Sequence, residues 1–521
     1  MPDNGAALIS VYDRTGIVEL ARSLIAAGRT IYATGGSAAH LRSAGLAVRD
    51  VEELTGFPSL FDGRVKTLHP NVFGGILRDT GSAEHDAQAA QYGIPLLSTI
   101  VVNLYPFEST VARANATLHE AIEQIDIGGV ALLRAAAKNF ERVIVLSDPD
   151  QYAEVIAASP VPLGRDARRR FATRAFERTA EYDSAIARYL ESGLLANELP
   201  GSLALTIPIE QPLRYGENPQ DRAAFYLARE TALPEQFWGK ALSYNNLLDL
   251  DATLRLLVRA RVGIELPAEL APAYCRAAIV KHTVPCGVAE RNTVAEAVRS
   301  ALDADPISAY GGIIAVDCPI DLAAAEAMGK FFLEMVAAPA FDDDALERLK
   351  RKNKNLRIMR YDAGMPQRIA QELRVRSALG GVLAEDDDPA APPETWRLAS
   401  KRVPTAEEWR DLIFAWDIVR HVKSNGVAVV RDAVSRGICA GQTNRVSAVR
   451  IAGERAGNYA LGAACASDGY FPFADGLMAA ADAGCTAVIA PSGSIRDGEV
   501  IAAADERNIA LVFSNYRYFL H

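Results

Sequence analysis

Residues 6–25 read AALISVYDRTGIVELARSLI, and the fold class follows from them. Ala6 to Val11 is a short apolar run, closed by the turn Asp13-Arg14-Thr15-Gly16. Ile17, Leu20, Ala21, Leu24 and Ile25 then recur at helical spacing. The pattern repeats: Thr30 to Ala33 predicts a strand and Ser37 to Ala44 a helix. Thr99 to Leu104 and Arg142 to Leu146 predict two more buried strands, with a helix over Gly129 to Asn139 between them. Short apolar strands alternating with helices predict an α/β fold with a parallel sheet covered on both faces. Ligands of such sheets sit at the carboxyl ends of the strands.

Working outward, 521 residues are too many for one core, and roughly 150 per domain suggests three or four folding units. Leu194 to Pro212, which carries Gly, Ser and three prolines with no clear period, predicts a linker. Beyond it lie two βα-rich stretches, separated by the charged region Phe341 to Asn355 and by an acidic, Pro-rich loop, Glu385 to Glu394. The halves show no sequence repeat. Glu334, Asp342-Asp343-Asp344 and Lys350 to Lys354 read as solvated surface. The net charge of -10 argues against a general nucleic-acid binder, which needs cationic surface for phosphates. No signal peptide is expected, and no run of about 18 apolar residues predicts a membrane span. Cys275, Cys286, Cys318, Cys439, Cys465 and Cys485 form no C-x-x-C pair, so neither zinc nor a dense disulfide framework is expected. Free thiols in a cytoplasmic chain are the expectation.

Several segments carry chemistry. Ser10 to Gly16 and Thr34-Gly35-Gly36-Ser37 each lie where a strand turns into a helix. Free N–H groups, hydroxyls and a helix N-terminus suit a phosphate, while capping by Asp13 or Thr34 is the plainer reading. Gly63 to Pro70, GRVKTLHP, packs two cations and an imidazole into a stretch ended by proline. If extended, it puts Arg64 and Lys66 on one face, aimed at one anion, and an exposed basic loop is equally consistent. Lys281-His282 ends the apolar run Ala277 to Val280 and precedes a Pro285-Cys286-Gly287 turn. That is either a site or a strand end exposing its polar residues. Arg214-Tyr215 and Lys423-Ser424-Asn425 are polar clusters beside apolar stretches. Arginine suits phosphate and asparagine suits a carboxamide, with turns or caps as the alternative.

At these residues the chain closely resembles the AICAR transformylase/IMP cyclohydrolase family. The resemblance runs end to end, through SVYDRTG (10–16), ATGGS (33–37), DGRVKTLHP (62–70), VVNLYPF (101–107), IDIGG (125–129), LLRAAAKN (132–139), RYGENP (214–219), KHTVPCG (281–287), SAYGG (308–312), VKSNGVAVV (422–430), CAGQTNRV (439–446), SDGYFPF (467–473) and SIRDGEVI (494–501). It implies a cyclohydrolase over residues 1–200 with a methylglyoxal-synthase-like parallel sheet. It implies a transformylase over 201–521 built from two cytidine-deaminase-like α/β domains, and a homodimer. Three positions depart from the family pattern. Tyr12 and Arg14 stand where Ser and Lys are usual, Gln220 replaces a frequent active-site histidine, and the C-terminus reads Arg517-Tyr518-Phe519-Leu520-His521.

The resemblance also implies roles. AICAR takes a formyl group from 10-formyltetrahydrofolate, and formyl-AICAR then closes to inosine monophosphate (IMP). For formyl transfer, His282 would be the general base, its ordinary pKa of about 6.5 lying near working pH. Lys281 would stabilise the oxyanion or protonate the leaving nitrogen of the reduced folate. Both reach one substrate only if the strand ends or twists there. Asn425 would orient the carboxamide and Arg214 with Tyr215 would hold the phosphate. Tyr310, Arg445, Asp468, Phe473, Arg517 and Phe519 would lie on the nucleotide or folate side. For ring closure, Lys66 would stabilise the oxyanion, and Tyr105, Asp126 and Lys138 would relay protons. Ser10, Arg14, Thr34, Gly36, Ser37, Arg64 and Thr67 would bind nucleotide and phosphate. No metal is expected. One rival, a zinc deaminase, shares Pro285-Cys286 but needs H-x-E and P-C-x-x-C, both missing here. Another, a nucleotide sensor, does not account for the KTLHP segment and Lys138. A third, a weakened or monofunctional enzyme, rests on Tyr12 and Gln220.

Overall fold

In the computed structural model, Ala6–Val11 is the central strand, β1, of a five-stranded sheet. The structure describes residues 5–521 apart from 114, 160–162, 193–198, 200, 205, 228–232, 260–274 and 387–395. β2 (Thr30–Ala33), β3 (Arg49–Asp50), β4 (Leu97–Asn103) and β5 (Ile144–Leu146) complete the sheet in the order β3-β2-β1-β4-β5, every pair parallel. Between β1 and β4 the order reverses, which opens a crevice at their carboxyl ends. The Ile17–Ala26 helix buries Ile17, Leu20, Ala21 and Leu24, and the isoleucine and two leucines each contribute about 1.5–3 kcal/mol of apolar burial. The turn into it needs Gly16, at φ 68°. This sheet belongs to the first of two units, Met1–Pro208 with Leu227–Thr231, and the second is Ile209–Tyr226 with Ala232–His521.

In the second unit β6 (Ile209–Leu213) pairs antiparallel with β7 (Ala223–Tyr226). A twelve-stranded sheet comes next. Its first half is β8 (Glu235–Trp238), β9 (Cys275–Lys281), β10 (Val284–Arg291), β11 (Ile313–Val316), β12 (Met335–Ala338) and β13 (Arg357–Arg360). β14 (Arg374–Ala378) and β15 (Gly381–Glu385) form a separate ribbon. The second half is β16 (Trp396–Leu398), β17 (Val427–Arg431), β18 (Val434–Cys439), β19 (Ala464–Ser467), β20 (Ala487–Pro491) and β21 (Ala510–Ser514).

The order β16-β21-β20-β19-β17-β18-β10-β9-β11-β12-β13-β8 makes the two halves repeats of each other. They meet where Ala289 of β10 pairs antiparallel with Val434 of β18. Helices repeat too: Tyr244–Arg255 matches Ala406–Val419, and Val294–Ala304 matches Arg445–Ala456. Strands are buried on both faces, so Ala278 and Val280 face one core and Ala277 and Ile279 another. Gly287 and Gly437 occupy equivalent places. A Cβ there would collide with the carbonyl of Ala301 or of Ala452 on the following helix.

Several expectations change. The charged region Phe341 to Asn355 does not separate the halves; its helix, Asp343–Lys352, lies between β12 and β13 inside the first. Lys352 is not simply solvated, since its Nζ donates to the carbonyls of Met328 and Gly329. Glu334 is likewise engaged, accepting from buried Arg357 at 2.7 Å. The expected linker runs into β6, and its residues 194–198, 200 and 205 lie outside the described ones, as do 387–394 of the acidic loop. Cys275 and Cys318 are joined by a disulfide, Cα–Cα 5.8 Å, so only the other four thiols are free. Among the described residues, no helix is long and apolar enough to cross a membrane.

Candidate active sites

The first site lies at the carboxyl ends of β1, β2 and β4. Asn103, at the end of β4, accepts from the N–H groups of Tyr12 and Asp13 and donates to the Asp13 carbonyl at 2.8 Å. It thereby shapes the turn after β1, a role the sequence reading missed. Neither Asp13 nor Thr34 caps its helix. Asp13 accepts from Thr15, while the Thr34 hydroxyl donates to Ser10 Oγ at 2.9 Å. Ser37 Oγ bridges the N–H and carbonyl of Val11. The first turn of the Gly35–Ser43 helix is therefore left open, and two cations flank it. Arg14 lies against Gly36, and Lys66 Nζ against Gly35 and Gly63. Tyr12 is 56% exposed and meets the Tyr105 ring edge-on.

The GRVKTLHP stretch is not extended. Phe61–Gly63 is a helical turn, and Arg64 continues it at φ -65°, ψ -27°. Arg64 and Lys66 have different partners, Arg64 pairing with Glu123 at 2.5 Å on the surface and Lys66 lying against Gly35 and Gly63. Pro70 begins a helix, Pro70–Leu77, with His69 as its cap. Thr67 is buried beside Gly128. Asp126 accepts from the Gly129 N–H at 2.6 Å, and its own N–H donates to Tyr182. Burial pushes the Asp126 carboxyl above the ordinary carboxylate range; burial and the nearby Asp126 push Tyr105 up as well. Lys138 is not brought to this group. It ends the Gly128–Lys138 helix that begins beside Thr67, about 15 Å away at 1.5 Å per residue.

The second site gathers at one end of the long sheet. Strand directions place the ends of β9, β18 and β19 and the starts of β11 and β17 together there. Lys281, His282, Tyr310, Asn425, Arg445 and Asp468 arrive from distant parts of the sequence. The chain's last residues join them: Tyr518 donates to the Asp468 carbonyl, and Ser424 to that of Leu520. Pro285-Cys286-Gly287 is not a turn but part of β10. The turn is His282-Thr283, with φ 56° and 60°. Lys281 ends the strand, its Nζ donating to the Tyr310 carbonyl at 2.8 Å, while His282 is exposed on the loop. Both side chains line a cavity of about 370 Å³ with Asp305, Ser308, Arg436 and Arg455.

Asn425, joined to Ser424 by a cis peptide, donates Nδ2 to the Gln442 carbonyl at 2.7 Å. Arg445 donates to Ser467 and to fully buried Asp468. Arg214 is exposed with its guanidinium over the Tyr215 ring. Arg517 covers the Phe519 ring and Arg496 that of Phe473. Two partners escaped the sequence reading: Gln442, and Asp249, which accepts from the N–H groups of His282 and Thr283. Among the described residues, no group of three His, Cys, Asp or Glu could hold a metal ion.

Comparison with known proteins identifies the family. Residues 136–455 match the family described as AICARFT/IMPCHase bienzyme, and residues 16–131 the MGS-like domain. The chain is 48% identical over 530 residues to the bifunctional purine biosynthesis protein PurH of Parasynechococcus marenigrum (strain WH8102), covering 99% of each. It is 45% identical to the protein of the same description from Desulfitobacterium hafniense (strain DSM 10664 / DCB-2), covering 99% of this chain and 100% of the relative. To that of Acidithiobacillus ferrooxidans (strain ATCC 53993 / BNL-5-31) it is 47% identical, covering 99% of each. A solved chain titled as the crystal structure of ForH aligns with 36% of this chain and 98% of its own at 36% identity and a TM-score of 0.32, too low to carry an argument. With an MGS-like parallel sheet first and the bienzyme match spanning most of the remaining residues, the chain belongs to the AICARFT/IMPCHase bienzyme family: it is the AICAR transformylase and IMP cyclohydrolase of the last two steps of purine biosynthesis.

Proposed function

We propose that formyl transfer runs at the sheet end carrying Lys281 and His282, with 10-formyltetrahydrofolate as the donor. The observation that carries this reading is the hairpin itself: it ends β9 at Lys281, so both side chains line one cavity. The AICAR amine is a weak nucleophile because its lone pair is delocalised into the ring. His282 takes its proton as the nitrogen attacks the formyl carbon. Lys281 stabilises the tetrahedral oxyanion, and the folate nitrogen leaves with a proton. Asn425 spends its amide on Gln442, which leaves Oδ1 to accept from the substrate carboxamide. Arg214 and Tyr215 hold the phosphate. Tyr310, Arg445, Asp468, Phe473, Arg517 and Phe519 line the nucleotide and folate side. Tyr310, Phe473 and Phe519 are each more than 40% exposed, which supports a homodimer in which a second copy completes this site.

Ring closure, in the same proposal, runs in the first unit. The open turn at Gly35–Gly36, with Ser10, Arg14, Thr34, Ser37 and Thr67, takes the nucleotide and its phosphate. Arg64 can join, since its exposed pair with Glu123 holds it by only about 0–1 kcal/mol. Both reacting groups belong to one molecule, so near-attack geometry supplies much of the rate. Lys66 stabilises the developing oxyanion, and Asp126 and Tyr105 move protons. The enzyme works in the cytoplasm, and neither step needs a metal. The test is a crossed pair of substitutions. Lys66→Ala should cut ring closure of formyl-AICAR by about a hundredfold or more and spare formyl transfer. His282→Ala should cut formyl transfer by about a hundredfold to ten-thousandfold and spare ring closure. Equal damage to both activities by either change would refute the assignment.

A further inference from the structure

Asp249 sits on the Tyr244–Arg255 helix, away from the motif that carries Lys281 and His282. Its carboxylate accepts two backbone bonds, from His282 N–H at 3.2 Å and Thr283 N–H at 2.6 Å. These two residues are the whole loop of the β9–β10 hairpin, and Lys281 pairs with Val284 across it. Both have positive φ, the signature of a type I′ turn. Such turns favour Asn-Gly, because a side chain, and a β-branched one above all, fits the left-handed region poorly. Residues persist in such wells only where the surroundings over-determine them. Here one carboxylate bridging two N–H groups does so.

The second half of the sheet repeats the device. Asp411, on the Ala406–Val419 helix, accepts from Asp432 N–H at 2.7 Å and Ala433 N–H at 2.9 Å, with φ 56° and 48° in the β17–β18 loop. β17 runs opposite to β9, so this loop lies at the far end of the sheet from Lys281 and Asn425. The clamp thus occurs twice, and only one copy carries an imidazole and an amine. The Asp249 helix also holds a second piece of the site. Asn245, one turn earlier on the same face, donates to the Glu217 carbonyl at 3.2 Å in the RYGENP loop of Arg214.

We infer that Asp249 is the positioning residue for formyl transfer: by clamping the His282-Thr283 turn it fixes the His282 imidazole against the substrate held by the Arg214 loop. This rests on His282 being the general base. It differs from a purely structural staple in a way that Asp411 makes measurable. Asparagine in place of aspartate loses one acceptor and sets an amide donor against a donor. Asp249→Asn in the full-length enzyme should lower kcat for formyl transfer by about tenfold to a hundredfold, as a small misplacement of the base would. KM for AICAR and the rate of ring closure should hardly move. Asp411→Asn should lower the melting temperature comparably but leave kcat near the wild-type value. In a double-mutant cycle, Asp249→Asn added to His282→Ala should cost nothing beyond His282→Ala alone. If Asp249→Asn does not fold, Asp249→Ser, which keeps one acceptor, should show the same coupling.

Wild-type kcat in the Asp249 variants, an equal kcat loss in Asp411→Asn, or additivity in the cycle would overturn the inference. The last outcome would leave His282 in its role. Full activity in His282→Ala would overturn both.

Discussion

The Asp126 carboxyl, proposed to move protons in ring closure, is held where its burial works against the stability of the fold. Burial raises it above the ordinary value of 3.8, despite the bond from Gly129 N–H. If its ionised form takes a proton during ring closure, the rate falls as pH drops through that raised value. The acidic limb of kcat/KM should therefore lie above the ordinary aspartate range, and Asp126→Asn should remove it. Stability runs the other way. A carboxyl raised in the folded state means that the unfolded chain binds fewer protons, so stability declines as pH rises from 3.8 through the raised value. Asp126→Asn keeps an acceptor for Gly129 without a buried charge. It should melt higher than the wild type at pH 7, with the gap closing below about pH 3.8. A lower melting point at pH 7 would refute the burial argument.

Gly287 and Gly437 set how closely a helix can lie on its strand in the two halves. A methyl at either meets a helix carbonyl, Ala301 or Ala452, rather than a flexible side chain. Gly287→Ala and Gly437→Ala should each cost about 1–3 kcal/mol in denaturant unfolding, the range for overpacking. The second change should spare His282, which lies on the other hairpin. The internal repeat that makes these glycines equivalent was not legible in the sequence, and the reason is physical. Strands buried on both faces read as apolar runs whatever their partner, so CRAAIVK and VAVVR look unrelated although they are the same strand of two copies. The clamps were illegible for a similar reason: an aspartate on an amphipathic helix reads as solvated face, and Asp249 meets its turn 34 residues further on. By contrast, the Ile17–Ala26 helix was legible because its apolar spacing is its burial pattern. The end of β9 at Lys281 was legible because a lysine does not continue a strand buried on both faces. The place of Lys138 was not legible because helix length, unseen in a motif, carries it about 15 Å from Asp126's end of the same helix.

At the scale of the whole chain, the candidate residues sort cleanly between the two units. Ser10, Arg14, Thr34, Lys66, Thr67, Tyr105 and Asp126 all precede Pro208, and Arg214, Lys281, His282, Asn425 and Arg445 all follow Ile209. Each unit has a core of its own, Leu8, Ile100 and Leu132 in one and Val280, Leu412 and Ile489 in the other. A unit with its own core and its own proposed reacting groups needs no covalent link to its neighbour. A fragment ending at Pro208, which leaves out only Leu227–Thr231 of the first unit, should therefore fold and close the ring of formyl-AICAR with no folate present. A fragment beginning at Ile209 should transfer the formyl group but release formyl-AICAR unclosed. Mixing the two should restore IMP formation from AICAR. A chain cut at Gly201 instead would leave ahead of β6 the segment whose last residue, Pro208, accepts from the Leu227 N–H, and should keep formyl transfer. If the Pro208 fragment unfolds, or folds but closes no ring while the intact chain does, the two activities share structure, and assigning each site to one unit is wrong.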